Sequence, residues 1–327
     1  MVIRRFLHKK LFLTITIASI LIILSSFYTS YLPSVNAVGN TITVGNKPYF
    51  IGVNPWTNKI YVSNYYDNSV SVINGTSNTV VKTITVGTNP AGVAVNSLTN
   101  RIYVANFHSN TLSVINGRTN TVVNTIPVGG GSQGVALNAK TNMVYVANAY
   151  DNTVSVINGT SKSVVKTITV GNYPVGIDVN TATNKIYVTN NIDNTVSVIN
   201  GTSNTVLNVI TVGMGPQGVG IDIYKNKIYV ANQGTTTVSA INGRTNSVVK
   251  TIAVGTGPAL FGVNLATHKI YVGNSLNNTV SVINSTDNTV INTIPVGHTP
   301  YGIGVNKKTN MIYVANFDDN TVSFIPG

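Results

Sequence analysis

The sequence predicts an all-β fold, a seven-bladed β-propeller with four-stranded antiparallel blades, and three observations carry that prediction. The first is a period. Tyrosines at Tyr61, Tyr103, Tyr145, Tyr187, Tyr229, Tyr271 and Tyr313 recur every 42 residues, each inside a variant of Lys185-Ile-Tyr-Val-Thr-Asn190. The second is a landmark with the same period, a TIxVG-like segment whose glycines are Gly45, Gly87, Gly129, Gly171, Gly213, Gly255 and Gly297. Repeats of this length that read as strand and turn throughout are the signature of propeller blades. The third is alternation: Val and Ile alternate with small or polar residues, as in strands whose two faces both meet neighbours.

Residues 1–37 stand outside the repeat. Arg4, Arg5, Lys9 and Lys10 precede an apolar run from Leu11 to Leu24, and Val35-Asn36-Ala37 offers small-residue cleavage after Ala37. That layout fits a secretory signal, or an uncleaved anchor. Either would place residues 38–327, read as one propeller domain, outside the cytoplasm. Cysteine is absent, so neither disulfides nor thiolate metal sites are available. The 20 Lys and Arg outweigh 8 acids, all aspartates, and a basic balance of this kind favours solubility and anionic partners.

Aligning the repeats resolves four strands, A to D, from the channel outward. In the second blade they are Gly92–Asn96, Arg101–Asn106, Thr111–Asn116 and Thr121–Val128. Asn-Gly after strand C, at Asn74, Asn116, Asn158, Asn200 and Asn242, predicts a tight turn with positive φ. Proline in the D-to-A link (Pro48, Pro90, Pro174, Pro216, Pro258, Pro300) predicts a link outside the ladder. One blade alone buries too little to offset its ordering entropy, so the ring must close. The seventh blade has strands A (Tyr301–Asn306), B (Met311–Asn316) and C (Thr321–Ile325) but no D, while a spare D-like segment, Asn40–Gly45, precedes the first blade. The N-terminal segment is therefore expected to complete the last blade and cover its open edge.

IYVTN at 186–190, TVSVINGTSNTV at 195–206 and TVGxxPxGV in the links resemble the YVTN family of β-propellers, over about nine-tenths of the chain. The resemblance implies a secreted or cell-surface repeat protein, of the kind associated with archaeal surface layers and exported bacterial proteins. It brings no catalytic residue with it. The wider superfamily includes quinoprotein dehydrogenases, haem-d1 nitrite reductase domains and streptogramin lyases. The leading expectation is thus a non-catalytic, extracytoplasmic propeller for surface architecture or for binding an envelope protein or glycan. Two alternatives stand beside it: a lyase or cofactor-dependent oxidoreductase on the same ring, and an envelope protein that binds nucleic acid or acidic polymer.

Alternating strand direction puts A–B and C–D turns on one face and B–C and D–A links on the other. Lys59, Arg101, Lys140, Lys185, Lys225, Lys227, Lys269, Lys307 and Lys308 fall at A–B turns, and Arg118, Lys162 and Arg244 at C–D turns. Asp67, Asp151, Asp193, Asp318 and Asp319 fall on the opposite face. The basic face is a candidate dock for an anionic membrane surface or polymer, against the simpler reading that turns collect charge. Sequons at Asn74, Asn158, Asn200 and Asn284 share that face, and Asn277 lies opposite; all five are glycosylation candidates. The B–C loops differ between blades: Phe317, Tyr65, Tyr66, Phe107, His108 and Tyr150 form an aromatic arc once the ring closes, suited to a sugar, base or protein partner, or to covering blade junctions.

No metal or cofactor is expected. His108, His268 and His298 occupy unrelated repeat positions and read as solvated loop residues, and no Ser-His-Asp set or carboxylate pair is apparent. Asp178 is the exception to a small-residue position held elsewhere by Gly52, Ala94, Ala136, Gly220, Gly262 and Gly304. Next to the channel, its carboxylate is either solvated or part of a ligand site.

Overall fold

The computed structural model describes residues 40–327; the expected signal or anchor at 1–37 lies outside them. Strand β1 (Thr41–Thr43) comes first, and blade 1 follows as β2 (Pro48–Asn54), β3 (Lys59–Asn64), β4 (Ser69–Asn74) and β5 (Thr79–Thr85). The same four-strand unit repeats as β6 to β25 in blades 2–6, and blade 7 contains β26 (Pro300–Asn306), β27 (Met311–Asn316) and β28 (Thr321–Pro326). Each blade is one four-stranded antiparallel sheet in simple sequence order. Blade 7 takes its fourth strand from the other end of the chain: β1 pairs with β28, setting Ile42 opposite Val322.

Period-two alternation explains the packing. Ile60 and Tyr61 are successive residues of β3 and point to opposite faces, Ile60 towards blade 7 and Tyr61 towards blade 2. Tyr61, Val70 and Val72 of blade 1 meet Ile102, Val104 and Ile115 of blade 2, and an equivalent core fills every junction. At the closure, Ile42, Tyr313 and Val322 pack on Ile51, Ile60 and Ile73, so the short β1 strand stands in the last core. The repeated tyrosines of the IYVxN segment are buried at every blade.

Two features of the repeat differ from expectation. The prolines open the innermost strands instead of standing outside the ladder: Pro48 is the first residue of β2, opposite Asn64, and a register shift follows before Ile51. First position is where a strand tolerates proline. After strand C, positive φ falls on Asn78, Asn120, Lys162, Asn204 and Asn246, four residues beyond the asparagine of each expected Asn-Gly. Asn74 instead accepts the Thr76 N–H in an Asx turn. The glycine after it is small for a steric reason: a Cβ at Gly159 or Gly201 would lie 2.6 Å from the Oδ1 of Asn142 or Asn184.

The second landmark has a similar cause. The asparagine that ends each IYVxN strand is buried; Asn106, for example, donates through Nδ2 to Thr111 and Ser113 and accepts the Gly87 N–H through Oδ1. A Cβ on Gly87 would sit 2.6 Å from Asn106 Cγ. Asn190 accepts the Gly171 N–H in the same way, so in blades 2 and 4 the asparagine and the glycine pin the incoming link to the middle of the blade; in the other blades the close approach of glycine and asparagine remains without that bond.

Candidate functional site

The B–C loops and D–A links bring the predicted aromatics into one connected track. Tyr65 contacts Tyr66 (5.3 Å between ring centroids) and Phe107 (6.5 Å); Phe107 contacts His108 (5.0 Å) and Tyr150 (5.2 Å). Four aromatics from D–A links and innermost strands extend it. Tyr49 touches Tyr65, Tyr301 and Phe317, Phe50 packs beside Tyr49, and Tyr173 lies next to Tyr150. Position in the repeat could have revealed these four, since Tyr49 and Tyr301 stand where other blades carry Ala91, Gln133, Val175, Gln217 and Ala259.

Exposure divides the track. Tyr66 and Tyr150 are 55% and 58% exposed, His108 is also exposed, and Tyr65 and Phe317 are half-buried. Phe107 is a correction to the exposed arc: it is only 7% accessible and packs with Ala91 and Ala149 beneath Tyr49, Tyr65 and Tyr173. It supports the exposed rings from below. Most edge-to-face contacts here are the arrangement that aromatic quadrupoles favour. Lys47 lies 5.0 Å above the Phe317 ring and pairs with Asp318 at 2.7 Å, adding charge to one end of the track.

Tyr49 and Tyr301 also stand over the end of the channel. Gln133 donates to the Tyr49 hydroxyl from two blades away (3.4 Å), and Gln217 donates to Gln233 (2.6 Å). Burial raises the pKa of both phenols, with Tyr301 adding to the shift at Tyr49 and Asp318 to that at Tyr301; both rings remain neutral hydrogen-bonding groups. Behind them, the channel holds a cavity of about 170 Å³ lined by Phe50, Val93, Val219, Phe261, Ile303 and Asp178, among others.

Most aspartates of this face have a structural task. Asp67, Asp151, Asp193 and Asp319 each accept a link N–H at 2.6–2.7 Å, from Asn46, Gly130, Asn172 and His298. Asn277 does the same for Thr256, so its sequon side chain is engaged through Oδ1. His298 bonds Asp319 and His108 bonds Asn89.

The basic face is also divided. Lys59, Lys185 and Lys227 extend to the next blade, where each Nζ donates to a turn carbonyl: Gly117 (2.9 Å), Gly243 (3.0 Å) and Ser285 (2.6 Å). These three act between blades and are not free docking charges. Arg101, Lys225 and Lys269 are half-buried, whereas Lys140, Lys307 and Lys308, with Arg118, Lys162 and Arg244, are exposed. Of the sequons here, Asn74, Asn158, Asn200 and Asn284 hold Asx turns through Oδ1.

His268 is a second correction: it is not a solvated loop residue. In six junctions an asparagine at the end of the innermost strand donates to a turn asparagine of the next blade, as Asn96 does to Asn142 (3.0 Å) and Asn180 to Asn226 (2.8 Å). Between blades 5 and 6 the pair is Asp222 and His268, at 2.9 Å, and Ser285 replaces the usual turn glycine, donating to Asp222 at 2.6 Å. Burial works to raise the Asp222 pKa, but hydrogen bonds from Ser285, His268 and Lys225 outweigh it and hold the carboxyl below its ordinary value. Ser, His and Asp do come together, contrary to expectation, but Asp222 is the central acceptor. The serine does not bond the imidazole, so the set lacks the nucleophile–base link of a hydrolytic triad. Its sequence signal was three departures from the repeat at three different positions. Among the described residues, no group of three potential metal ligands converges.

No protein-family model matches the chain, and no curated protein does. Among solved structures, the Kuenenia stuttgartiensis hydrazine synthase is similar, with a TM-score of 0.79 and 17% identity over 91% of this chain and 99% of that one. At this identity the likeness concerns architecture alone, and many functions use that architecture. The chain is a seven-bladed β-propeller, closed by its N-terminal strand.

Proposed function

We propose that this is a YVTN-type propeller acting outside the cytoplasm as a non-catalytic binding module of the cell envelope, with a glycan held on the aromatic face. The observation that carries the reading is the connected track from Phe317 through Tyr49, Tyr65 and Phe107 to Tyr150. Blades 7, 1, 2 and 3 build this stretch, largely in loops where blades 5 and 6 carry Gln233-Gly-Thr-Thr and Ser275-Leu-Asn-Asn, and Tyr173 carries it to the entry of blade 4. A fold made of near-identical repeats needs no aromatics there, since the other blades close their junctions without them. Flat rings with a polar tip, fixed from below, suit stacking on sugar faces at low entropic cost. The repeat motifs support the family, and the basic, apolar N-terminal layout supports export.

A glycan array and isolated envelope polymers test this. Tyr66→Ala with Tyr150→Ala should lower glycan binding at least tenfold without changing the melting temperature. Charge reversal at Lys140, Lys307 and Lys308 should leave it intact. The opposite pattern, with binding that collapses in salt, would replace the glycan reading with an anionic membrane, acidic polymer or nucleic acid on the basic face.

A further inference from the structure

The innermost strand of each blade has a position where a side chain must be small. A Cβ at Gly52 would lie 2.8 Å from Val93 Cγ1 of the next blade, one at Gly220 2.8 Å from Phe261 Cβ, and one at Gly262 2.5 Å from Ile303 Cγ2. Blade 4 (innermost strand Pro174–Asn180) puts Asp178 there. Its carboxyl accepts the N–H of Val179 at 2.8 Å and that of Ile221 in blade 5. None of the three ion pairs among the described residues includes it.

Asp178 also lines the channel cavity, whose walls are otherwise apolar side chains such as Phe50, Leu260 and Phe261, with the backbone of Gly176, Gly218 and Gly302. No lysine, arginine or histidine is among the lining residues. Tyr187, the cross-strand partner of Asp178, has a buried hydroxyl without a hydrogen-bond partner, and burial raises its pKa to about 12, so it stays neutral. Asp222, which follows Ile221 at the end of the blade 5 strand, is already engaged by Ser285 and His268. A half-buried carboxyl without a countercharge costs stability, and nothing in the repeat requires it.

We propose that the channel is a binding site for a small organic ammonium ion, its apolar body in the cavity and its N–H groups on Asp178. A cavity of about 170 Å³ has room for a body of six or seven heavy atoms, since roughly 150 Å³ of apolar cavity holds benzene. A bare Na⁺ or Ca²⁺ would need several more oxygen ligands than one carboxylate and a few strand carbonyls supply. Phe50 and Phe261 add ring surface that favours an organic cation. Burial pushes the Asp178 pKa up to about 7 against the two backbone hydrogen bonds, so a cation that binds must displace a proton near neutrality. Affinity then rises with pH up to about 7 and levels off above it. This site is independent of the aromatic-face reading; either can fail alone.

Calorimetric titration of the whole protein with ethylamine, butylamine and benzylamine, against benzyl alcohol as the neutral analogue, tests the assignment. At least one amine should bind at pH 8 tenfold or more tightly than benzyl alcohol. Its affinity should fall about thirtyfold by pH 5.5, with buffer-dependent heats that report proton release. Asp178→Asn, which keeps the shape and should fold at least as well, should reduce the amine to the affinity of the alcohol. Failure of all three amines to bind, equal affinity for amine and alcohol, undiminished binding by Asp178→Asn, or competition by millimolar Na⁺ or Ca²⁺ would each overturn it.

Discussion

The blade 5–6 junction allows a quantitative test of how this ring is held. In the other junctions an asparagine pair spans the gap, and the turn glycine leaves room for the asparagine oxygen. Here Asp222, His268 and Ser285 replace all three members. His268→Asn alone removes a hydrogen bond to a buried carboxylate, about 1.5–3 kcal/mol, and sets the new amide oxygen against the Ser285 Cβ, an overpacking of about 1–3 kcal/mol. Ser285→Gly alone loses one charge-assisted bond, again about 1.5–3 kcal/mol. Asp222→Asn leaves two donors facing an amide in place of a carboxylate, with a loss of about 1–2 kcal/mol. The triple variant Asp222→Asn, His268→Asn, Ser285→Gly rebuilds the junction used elsewhere and should be within about 1 kcal/mol of the parent. In a domain of this size, about 2–3 °C of melting temperature corresponds to each kcal/mol. Scanning calorimetry should therefore find the singles down by about 2–18 °C, His268→Asn the most, and the triple within about 3 °C of the parent. A triple variant as unstable as its worst single would refute this account of the junction.

The other predictions concern closure, protonation and the basic face. Ile42→Ala should cost about 2–5 kcal/mol, because Ile42 anchors the strand that joins the first and last blades; unchanged melting would mean that β1 does not hold the ring. Asp178 has a folded pKa raised to about 7, so the parent loses stability as pH rises from about 4 to 7 relative to Asp178→Asn. The gap should reach about 2–4 kcal/mol by pH 8 and vanish below pH 4, as read from denaturant melts across that range. Asp222 has the opposite sign: its lowered pKa contributes stability above the ordinary aspartate range that is lost as pH falls through the folded value. The triple variant should lack that acid-side loss. Lys185→Met should cost less than about 1 kcal/mol, because Met143 and Met311 hold the same repeat position in other blades; a larger loss would make the lysine clasp essential.

Much of the architecture was legible because it is periodic. The strands of blade 2 begin and end within two residues of the expected bounds, and the missing outer strand of blade 7 was found at Thr41–Thr43. Turn chemistry was read less well, since Asn-Gly suggests a local conformation while the glycine here answers to a different turn, beside Asn142 or Asn184. Exposure along the aromatic arc follows position within the loop: Phe107 is the first residue after its strand, like Tyr65 and Phe317, and packs with Ala91 and Ala149, whereas Tyr150 is the second, like the exposed Tyr66 and His108. The charged junction was missed because its members lie 46 and 63 residues apart. No local motif joins them, only their shared departure from the repeat.

That departure bears on how a chain of near-copies finds its order. Where one blade can pair with any other through the same two asparagines, a folding chain can skip a repeat and trap itself as a smaller or swapped ring. The carboxylate of Asp222 has a matching imidazole and hydroxyl only on blade 6, and beside any other blade it would face an asparagine and a glycine. One ionic junction thus acts as an index mark for the whole circle. Once blades 5 and 6 are joined, every other repeat can be counted from them, and the N-terminal strand meets blade 7 with no repeat left over.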